Sequence, residues 1–482
     1  MAAPNPDAPR GDQPPRDAPN PDAARGGEPV PRDRLRRLTA RERERYAADH
    51  PTSRALFDQA DHLIGRVPMT WMSKWSGGFP LYLDTAAGAR VTDVDGHRYA
   101  DFALGDTGAM AGHSAPAVTA AINRRARQQG GITTMLPTED AEWVAAELAR
   151  RFGLPYWSFS LSATDANRWA IRLARLVTGR GKILVFSYCY HGSVDETFAI
   201  LDDAGAVRSR PGNVGPAVDP ASTTRVAHFN DLESVRAALE HGDVAVIVTE
   251  PALTNIGIVL PEPGFLDGLR RLASQHGTLL LIDETHTLSA GPGGMTATER
   301  LRPDIVVVGK SIGGGVACGA YGITEQVAAR LAEHTRSGAA DIVDVGGVGG
   351  TLAGNALSTA AMRATLSEVL TEQAFEKMGE LAARYTAGVQ ASIDEHGLPW
   401  SISRLGARAE YRFSSPAPRT GNDSAAAADP ELDEYLHLCL ANRGVLLTPF
   451  HNMALMCPAT DVADVDLHTE LFAAAVSDLL GR

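Results

Sequence analysis

Short, continuous apolar runs alternate with amphipathic stretches through the middle of the chain. The stretches at 165–179 and 264–277 have the spacing of helices that bury one face. The apolar runs lie around them, at 182–186, 244–249, 279–282 and 305–309 (KILVF, VAVIVT, LLLI and IVVVG). Continuous apolar strands that alternate with helices are typical of a parallel sheet covered on both faces. The pattern therefore predicts an α/β protein with a large, doubly wound and mainly parallel sheet.

Shorter, mixed elements flank this region on both sides. Residues 32–50 predict a charged helix, and residues 80–102 predict short strands with a hairpin turn at Asp95-Gly96. After about residue 360, long helical stretches lead into a smaller mixed region. We therefore expect a large domain at 116–360 and a smaller α+β domain built from both chain ends, with parts at 32–115 and 361–482.

Residues 1–31 differ from the rest of the chain in composition, being rich in Pro, Asp, Arg, Ala and Gly. An APNPDA-like unit is repeated within them. Such a segment cannot bury enough apolar surface to offset its chain entropy, so we expect a disordered and functionally inert tail.

Composition and charge narrow the class of protein. With 44% hydrophobic and 21% charged residues among 482, the chain has ordinary globular composition and enough length for one large and one smaller domain. The formal net charge of -13 argues against a nucleic-acid-binding surface. The sequence shows no apolar run of the roughly 18 residues that span a bilayer and no secretory apolar segment. We therefore expect a cytoplasmic protein without a nucleic-acid or membrane partner.

The cysteines give no sign of a metal or disulfide framework. They are widely scattered and form no CxxC pair, at Cys189, Cys318, Cys439 and Cys457. Residues 283–287 (DETHT) bring an aspartate, a glutamate and a histidine close together, but no further cluster stands at matching spacing. We therefore expect idle thiols and no metal ion.

Polar side chains follow the apolar strands at the point where each strand ends. Glu250 follows 244–249, Asp283 follows 279–282, Lys310 follows 305–309, and Tyr190-His191 come shortly after 182–186. Ligands of parallel sheets bind beyond the carboxyl ends of the strands. The sequence therefore predicts an active site at this edge of the sheet.

Lys310 and Asp283 carry the most specific chemistry. A lysine in an apolar, partly enclosed site is favoured in its neutral form, which makes it competent to form a Schiff base. A buried carboxylate needs a partner, and a protonated pyridinium nitrogen is one that also acts as an electron sink. Each residue taken alone also fits a simpler role, as a solvent-facing lysine at a strand end and as a structural ion pair.

A phosphate site is indicated where Ser162, Ala163 and Thr164 precede an amphipathic helix with Asp165 in its first turn. Backbone N–H groups at a helix start, with small hydroxyl residues beside them, bind phosphate. The same residues also fit a simple N-cap. Tyr190 offers a stacking surface for a flat ring.

Together and in this order, these motifs resemble those of the class III aminotransferases, which are pyridoxal-phosphate (PLP) enzymes of fold type I. The resemblance runs from about Pro80 to the C-terminus and is carried by DVDGHRYADF, SATDA, CYHG, TEPALTNIG, LLLIDETHT, PDIVVVGKSIGGG and GTLAGNALS. Within the class, the chain resembles the glutamate-1-semialdehyde aminomutases. The resemblance implies PLP as the cofactor and a homodimer with shared active sites.

By this resemblance, Lys310 is the lysine that links to the cofactor, and Asp283 pairs with the pyridine nitrogen. Tyr190, followed by His191, matches the aromatic residue that stacks on the ring. His286 stands where the class commonly has Gln or Met. It could donate a hydrogen bond to the phenolic oxygen of the cofactor, act as an acid–base group, or merely line the site.

The remaining cofactor contacts are also assigned by resemblance. Residues 162–164 match the phosphate loop, with an alanine where the class has a glycine. Thr351 corresponds to a threonine that reaches the phosphate of the partner subunit. Glu250 and Asn255 match the EP…GN segment that the class has near the cofactor.

The resemblance does not extend to the substrate contacts of the aminomutases. Trp71 and Met453 stand where those enzymes have an arginine and a glutamate. A site built for an ionic substrate loses heavily when the partner charge is missing, so we expect a more apolar amine or amino acid, with Trp75 as a further contact. Arg408 and Arg412 are candidates for binding a substrate carboxylate. All of these residues also fit ordinary packing or structural roles.

We therefore expect a PLP-dependent aminotransferase that moves an amino group between an amine or amino acid and a keto acid. A PLP-dependent aminomutase, racemase or epimerase is the alternative, because these enzymes use the same parts. A dinucleotide-binding sheet would need GxGxxG directly after the first strand, and GGVGG near Gly346 follows no such unit. A cofactor-free binding protein is opposed by the presence of both Lys310 and Asp283.

Overall fold

The structure is a computed structural model that describes residues 30–338, 340–343 and 346–482. Its α-helices are α1 Arg32–Asp49, α2 Pro51–Asp58, α3 Pro116–Asn123, α4 Glu139–Phe152, α5 Ala163–Thr178, α6 Leu232–Leu239, α7 Phe265–Gln275, α8 Gly294–Thr298, α9 Glu325–Arg336, α10 Ala356–Ala364, α11 Glu372–His396, α12 Gly421–Ala426, α13 Pro430–Ala441 and α14 Val462–Leu480. Its strands are β1 Leu83–Ala87, β2 Arg90–Asp93, β3 Arg98–Asp101, β4 Tyr156–Ser160, β5 Lys182–Phe186, β6 Ala199–Leu201, β7 Val207–Ser209, β8 Thr224–Ala227, β9 Val244–Thr249, β10 Leu279–Asp283, β11 Ile305–Gly309, β12 Gly319–Ile323, β13 Ser401–Leu405, β14 Arg408–Arg412, β15 Val445–Leu446 and β16 Met453–Leu455. The disorder predicted for residues 1–31 falls almost entirely on residues 1–29, which lie outside the described residues.

Seven strands form the large sheet, in the order β4-β12-β11-β10-β9-β5-β8. The strands β11, β10, β9, β5 and β8 run parallel to one another, whereas β12 is antiparallel to both of its neighbours. The predicted mainly parallel sheet is therefore confirmed. The register of β10 and β11 places Asp283 opposite Val307, so Asp283 and Lys310 leave the sheet at the same edge.

The apolar runs of the sequence become strands that helices cover. Every residue of β9, β10 and β11 is buried. The helix α5 packs against β9, β11 and β12, and α7 packs against β10. Burying one large apolar side chain stabilises the fold by roughly 1.5–3 kcal/mol, so this core holds the carboxyl edge of the sheet in a fixed position.

Two smaller sheets join segments from the two ends of the chain. The strands β1, β2 and β3 form an antiparallel meander, and β15 pairs with β3 in parallel. The strands β13, β14 and β16 form a separate antiparallel sheet. The predicted hairpin turn is confirmed between β2 and β3, where Gly96 has a φ of 91° that favours glycine. The domain boundaries at 115/116 and 360/361 stay a prediction.

The predicted charged helix is α1, which packs along α13. The guanidinium of Arg443 donates to both carboxylate oxygens of Glu42, at 2.9 and 3.0 Å. This ion pair ties the first helix to the segment that follows α13. Among the described residues, no helix combines the length and apolar character that crossing a membrane requires.

Candidate active site

A cavity of about 520 Å³ opens at the carboxyl edge of the large sheet. Nine residues that the sequence singles out contribute to its wall, namely Trp71, Ser162, Ala163, Thr164, Tyr190, Glu250, Asp283, His286 and Lys310. Small residues such as Gly105, Gly108 and Ala317 complete much of the rest. Side chains from the ends of β4, β9, β10 and β11 therefore meet in one place, as the strand pattern predicts.

Asp283 is the last residue of β10, is only 3% exposed, and takes part in four hydrogen bonds. Asn167 Nδ2 donates to Oδ2 at 2.8 Å, and the N–H and Oγ1 of Thr285 donate to Oδ1 at 3.1 and 2.6 Å. The Nδ1 of His191 lies 2.9 Å from Oδ2. Burial raises the pKa of Asp283, but these bonds outweigh burial and hold that pKa below its ordinary value. Asp283 is therefore a carboxylate able to pair with a cation in the cavity.

His191 lies fully enclosed behind Asp283. Burial lowers the pKa of His191, but Cys189 and the Asp283 carboxylate raise it above its ordinary value. Its Nε2 is buried and has no hydrogen-bond partner among the described residues. The imidazole therefore orients the carboxylate from behind and favours its ionised form.

The helix α5 begins at the cavity, with Ser162 as its N-cap. The Oγ of Ser162 accepts a hydrogen bond from the N–H of Asp165 at 3.3 Å. Ala163 and Thr164 occupy the first two helical positions, where backbone N–H groups have no acceptor within the helix. The Oγ1 of Thr164 accepts from the N–H of Ser193 at 3.2 Å. A helix start of this kind attracts anions and can bind a phosphate group.

Two glycines pack closely against this helix start. A Cβ at Gly192, which has a φ of 77°, would lie 2.8 Å from the Cα and Cβ of Thr164. A Cβ at Gly319 would lie 2.6 Å from the backbone carbonyl of Ser162. Both positions therefore require glycine for the loop and the strand to approach the helix this closely.

Lys310 follows β11 and has a φ of 49°, in the left-handed region that costs about 1–2 kcal/mol for a residue with a side chain. Its Nζ lies 2.7 Å from the Oδ2 of Asp106 and 2.5 Å from the Nε2 of His286. Asp106 belongs to the segment 104–107, in which all four residues have positive φ. Backbone strain that the surrounding structure holds in place is typical of functional sites.

A chain of hydrogen bonds runs from Lys310 into the protein interior. The Nδ1 of His286 lies 2.6 Å from the Oγ1 of Thr254, and Thr254 donates to the Oε1 of Glu250 at 2.5 Å. Burial, reinforced by the charge of Lys310, lowers the pKa of His286 well below its ordinary value, so the ring is neutral. Burial raises the pKa of Glu250 to about 7. The chain therefore joins an amine to a carboxyl group that can take up or release a proton near neutral pH.

An aromatic wall closes the cavity opposite the sheet. The ring of Trp71 lies 5.6 Å from the rings of Tyr190 and Phe450, and both contacts are edge-on. The Nζ of Lys74 lies 5.0 Å above the ring of Phe450. Burial raises the pKa of Tyr190, which keeps its hydroxyl protonated. The wall supplies flat apolar surface for a ring or an apolar substrate group.

Several residues that the sequence singles out do not line the cavity. Trp75 packs against an apolar cluster on the four-stranded sheet, and Met453 is 2% exposed within β16 in the core. Thr351 is exposed at the surface. With its amide oxygen facing Arg210, Asn255 accepts hydrogen bonds from that guanidinium at 3.0 and 3.1 Å. Sequence position alone does not say which way a side chain points, so the roles predicted for these residues stay predictions.

The two candidate arginines are buried in β14 and make local hydrogen bonds. Arg408 is 1% exposed and donates from Nε to the Oγ of Ser289 at 3.1 Å and from Nη2 to the Oγ1 of Thr107 at 2.7 Å. Arg412 donates to the backbone carbonyl of Ser424. Neither contributes to the cavity wall, so a direct contact with a substrate carboxylate stays a prediction for both.

Sequence reasoning missed three residues of the site: Asp106, Asn167 and Thr254. Asp106 lies in a glycine-rich turn outside the strand pattern, where no periodicity marks it. Asn167 lies three residues after Thr164 in α5, so helical spacing puts both on one face and gives a usable signal. Thr254 follows Glu250 by four residues in a loop, and only the folded chain brings the two side chains together.

The cavity fits PLP group by group. The ionised Asp283, which is hydrogen-bonded to the buried His191, can pair with a protonated ring nitrogen. The start of α5, with no room for added side chains beside it, suits the phosphate. Lys310 supplies the amine for the covalent link, and Tyr190 supplies a flat contact surface. These groups come from separate elements, yet all face one cavity.

The chain is similar to a known protein family and to several proteins of known structure. The family model described as "Aminotransferase class-III" matches residues 71–475. Glutamate-1-semialdehyde 2,1-aminomutase 2 of Brevibacillus brevis is 34% identical over 424 residues, which cover 85% of this chain and 94% of that protein. The crystal structure of a glutamate-1-semialdehyde aminomutase from Pseudomonas aeruginosa matches with a TM-score of 0.90 at 50% identity, covering 93% of this chain and 99% of that one. A β-phenylalanine aminotransferase from Variovorax paradoxus matches with a TM-score of 0.78 at 29% identity, covering 93% and 97%.

These similarities extend over nearly the whole described chain, and the range that the family model matches spans every wall residue of the cavity. Among the similar solved structures, a lysine-to-alanine variant of the Pseudomonas aeruginosa enzyme is in complex with PMP, and a transaminase carries bound PLP. The donor set of the cavity matches that cofactor. The chain therefore belongs to the class III aminotransferase family and is a PLP enzyme of fold type I.

Proposed function

We propose that this enzyme is a PLP-dependent aminomutase, which moves an amino group between two positions of one bound substrate. The observation that carries the proposal is the 50% identity to the Pseudomonas aeruginosa aminomutase along 99% of that chain. The aminomutase, an alternative in the sequence analysis, is therefore preferred here to the plain transaminase.

Each cofactor-binding residue has a different role in this proposal. When bound, PLP supplies a covalent anchor for the amino group and a sink for an electron pair. In this proposal Lys310 forms the covalent link, the start of α5 holds the phosphate, and Tyr190 packs on the ring face. Asp283 keeps a proton on the ring nitrogen, and its lowered pKa and its bond to His191 support that role.

The hydrogen-bonded chain behind Lys310 can move a proton in either direction. With Glu250 ionised, Thr254 donates to it, so the Nδ1–H of His286 donates to Thr254 and the bare Nε2 accepts from Lys310. When Glu250 takes up a proton, all three bonds reverse, and the Nε2–H of His286 donates to a neutral Lys310. We infer that Lys310 acts as the acid–base group and exchanges its proton with Glu250 through this chain.

Internal proton storage suits an aminomutase. Such an enzyme removes a proton from one carbon of the substrate and returns one to another carbon of the same bound molecule. Because Glu250, Thr254 and His286 are all buried, the proton can be held without exchange with bulk water. The neutral state of His286 supports this role, since a charged ring could not accept from Lys310.

We also propose a homodimer in which Thr351 reaches the cofactor phosphate that the partner subunit holds. Thr351 is exposed and lies outside the cavity of its own chain. An exposed threonine that serves another subunit explains both facts.

A transaminase acting on an apolar amine is the second candidate, favoured by the aromatic wall. Within the described residues, the cavity wall has no arginine, and Lys310 is its one lysine. Trp71 and Tyr190 line the cavity, and Phe450 packs against Trp71. A substrate with an apolar side chain fits this wall better than an anionic one.

The requirement for a keto acid distinguishes the two candidates. The holoenzyme is incubated with a series of amines, amino acids and amino aldehydes. Each compound is tested once alone and once with pyruvate or 2-oxoglutarate. An aminomutase turns over many equivalents of its substrate alone, whereas a transaminase converts about one equivalent per site and stops. Sustained turnover only with a keto acid would overturn the aminomutase proposal in favour of the second candidate.

A further inference from the structure

Three side chains converge where the junction of α1 and α2 meets the β2–β3 hairpin. They are His50, Asp93 and His97, and their potential ligand atoms all lie within 4.8 Å of one another. His50 Nε2 lies 3.5 Å from Asp93 Oδ2, and His97 Nδ1 lies 3.3 Å from the same oxygen. None of the three lines the PLP cavity, so the catalytic proposal leaves this cluster unexplained.

The tautomer of His50 is fixed by its surroundings. Its Nδ1 lies 2.7 Å from the backbone carbonyl of Tyr46, which can only accept, so Nδ1 carries a proton. In a neutral ring, Nε2 therefore presents a bare lone pair toward Asp93. A histidine that donates one ring N–H to a backbone carbonyl and presents its other nitrogen is the arrangement that metal-binding histidines commonly adopt.

One hydrogen-bond donor is missing from the cluster. Tyr99 has a single hydroxyl proton, but its oxygen lies 2.7 Å from Asp93 Oδ2 and 2.9 Å from His50 Nε2, and both of these are acceptors. If Tyr99 donates to Asp93, nothing satisfies the lone pair of a neutral His50. A metal ion bound by both His50 and Asp93 would take up that lone pair.

The Oδ2 of Asp93 faces both imidazoles and accepts a hydrogen bond from the hydroxyl of Tyr99 at 2.7 Å. The other oxygen, Oδ1, accepts the backbone N–H groups of Asp95 and His97 at 3.0 and 2.9 Å. The nearby Asp95 is already engaged, because its carboxylate accepts the N–H groups of Thr52 and Ser53 at the start of α2. The hairpin therefore presents one oxygen, flanked by two imidazoles.

We propose that His50, Asp93 and His97 bind a divalent transition metal ion, with Zn²⁺ as the best match. Metal–ligand distances of about 2.0–2.2 Å in a tetrahedral site put ligand atoms roughly 3.3–3.5 Å apart. The two separations from Asp93 Oδ2, 3.5 and 3.3 Å, have this spacing. Two imidazoles and a carboxylate are a ligand set that zinc accepts.

The surroundings leave room for entry of the ion and for a fourth ligand. The side chains of His50 and Asp93 are each 3% exposed, whereas that of His97 is 42% exposed. A water molecule can complete the coordination from the open side, next to His97. The bound ion would tie the first two helices to the four-stranded sheet. Because its ligands lie far apart in the sequence, no sequence motif marks the site.

Cobalt substitution tests the site directly. The full-length holoenzyme without an affinity tag is freed of metal and titrated with Co²⁺, whose visible d–d bands report tetrahedral coordination. We expect about one equivalent of Co²⁺ per chain, displaced by Zn²⁺. In His97→Asn, we expect binding weaker by about 100-fold or more, because one of three ligands is lost. The exposed His97 is chosen because its replacement should leave the fold intact.

The matched control is His62→Asn, which removes an exposed histidine of the same N-terminal region that is not part of the cluster. It should bind Co²⁺ as the wild type does, and Zn²⁺ should raise the Tm of both but not that of His97→Asn. If the wild type shows no stoichiometric d–d band, or if His97→Asn binds as tightly as the wild type, the cluster is not a metal site and the proposal is overturned.

Discussion

The Nε2 of His286 lies 2.5 Å from the Nζ of Lys310, and on the other side the Oδ2 of Asp106 lies 2.7 Å from the same amine. The two neighbours differ in charge. Burial raises the pKa of Asp106, but its charged surroundings, with Lys310 foremost among them, hold that pKa far below its ordinary value, so Asp106 is ionised. His286 is neutral. Asp106 therefore stabilises the protonated amine, while His286 is placed to carry its proton away.

The Glu250→Gln variant tests the proton path. Burial raises the pKa of Glu250 to about 7, so in the wild type kcat should rise as the pH passes through about 7 and Glu250 becomes able to accept a proton. Glutamine keeps the hydrogen bond to Thr254 but cannot ionise. We expect this inflection to disappear and kcat above pH 7 to fall by roughly 10- to 100-fold. Steady-state kinetics between pH 5 and 9 measures both.

Two substitutions at Thr254 serve as controls for the same path. Thr254→Ser keeps a hydroxyl between Glu250 and His286 and should retain the inflection, whereas Thr254→Val interrupts the chain at similar volume and should lose it. If the pH profile of kcat for Glu250→Gln still has an inflection near pH 7, another group ionises there, and the proposed proton path is contradicted.

The raised pKa of Glu250 also predicts how stability depends on pH. The ordinary value is 4.5 and the folded value is about 7, so between these values the folded chain binds a proton that the unfolded chain releases. The contribution to the free energy of unfolding is therefore full below pH 4.5 and is lost as pH rises through 7. It amounts to about 3 kcal/mol at 1.36 kcal/mol per pKa unit. Between pH 4 and 8, the Tm of Glu250→Gln should depend less on pH than the Tm of the wild type.

Glu147 provides a control of opposite sign. A hydrogen bond from Arg150 lowers the pKa of Glu147, with Arg151 adding to it against burial. The stability from this group is therefore present above its ordinary pKa and lost as the pH falls below it. Glu147→Gln should lose stability chiefly at neutral pH, where Glu250→Gln gains it. Parallel pH dependences for the two variants would contradict the assignment.

The Asp283→Asn variant tests the role of the buried carboxylate. Asparagine fills the same volume but carries no charge, so it cannot hold a proton on the ring nitrogen. We expect kcat to fall on the order of 10²–10³-fold and the pH titration of the bound cofactor's absorbance to shift. The control is Asp304→Asn, a carboxylate that accepts the N–H of Leu280 and pairs with Arg270 away from the cavity. It should lower Tm yet leave the cofactor spectrum unchanged; equal spectra in both variants would contradict the role.

The Gly192→Ala variant tests the phosphate cradle. Positive φ costs a residue with a Cβ about 1–2 kcal/mol, and the contact with Thr164 adds about 1–3 kcal/mol or displaces the helix start. Gly212→Ala has a similar φ of 81° against 77°, but nothing lies within 4 Å of the added carbon. We therefore expect PLP affinity, measured by equilibrium dialysis, to fall at least about tenfold in the first variant only. Equal losses in both would point to backbone strain alone.

The large sheet and one edge of the site were predictable because their signals are local. Continuous apolar runs such as 279–282 can only be buried strands, and a polar residue directly after such a run must emerge at the strand end. That reasoning brought Asp283 and Lys310 to one edge, which the register of β10 and β11 confirms. The start of α5 was predictable for the same reason, from Ser162 and the amphipathic helix after it.

The partners of these residues were not predictable because they come from distant loops. Asp106 precedes Lys310 by about 200 residues and sits on strained backbone that no sequence pattern marks. The chain from His286 to Glu250 closes through Thr254, whose hydroxyl is positioned only by tertiary packing. Met453 shows a second reason why the sequence was not enough. The resemblance to the aminomutases placed Met453 at a substrate contact, but its side chain is buried in the core rather than facing the cavity.

Trp71 is predicted to set the preference between apolar and anionic substrates. In Trp71→Arg, a guanidinium replaces the ring that packs against Tyr190 and Phe450, so a substrate carboxylate gains a charge-assisted hydrogen bond of about 1.5–3 kcal/mol while an apolar group loses its contact surface. We expect the ratio of kcat/KM for glutamate-1-semialdehyde to that for an uncharged analogue of equal length to rise roughly 10- to 100-fold. Trp71→Phe keeps an aromatic wall and should leave the ratio near that of the wild type. If Arg and Phe variants shift the ratio equally, the charge at this position does not select the substrate, and the wall serves packing alone.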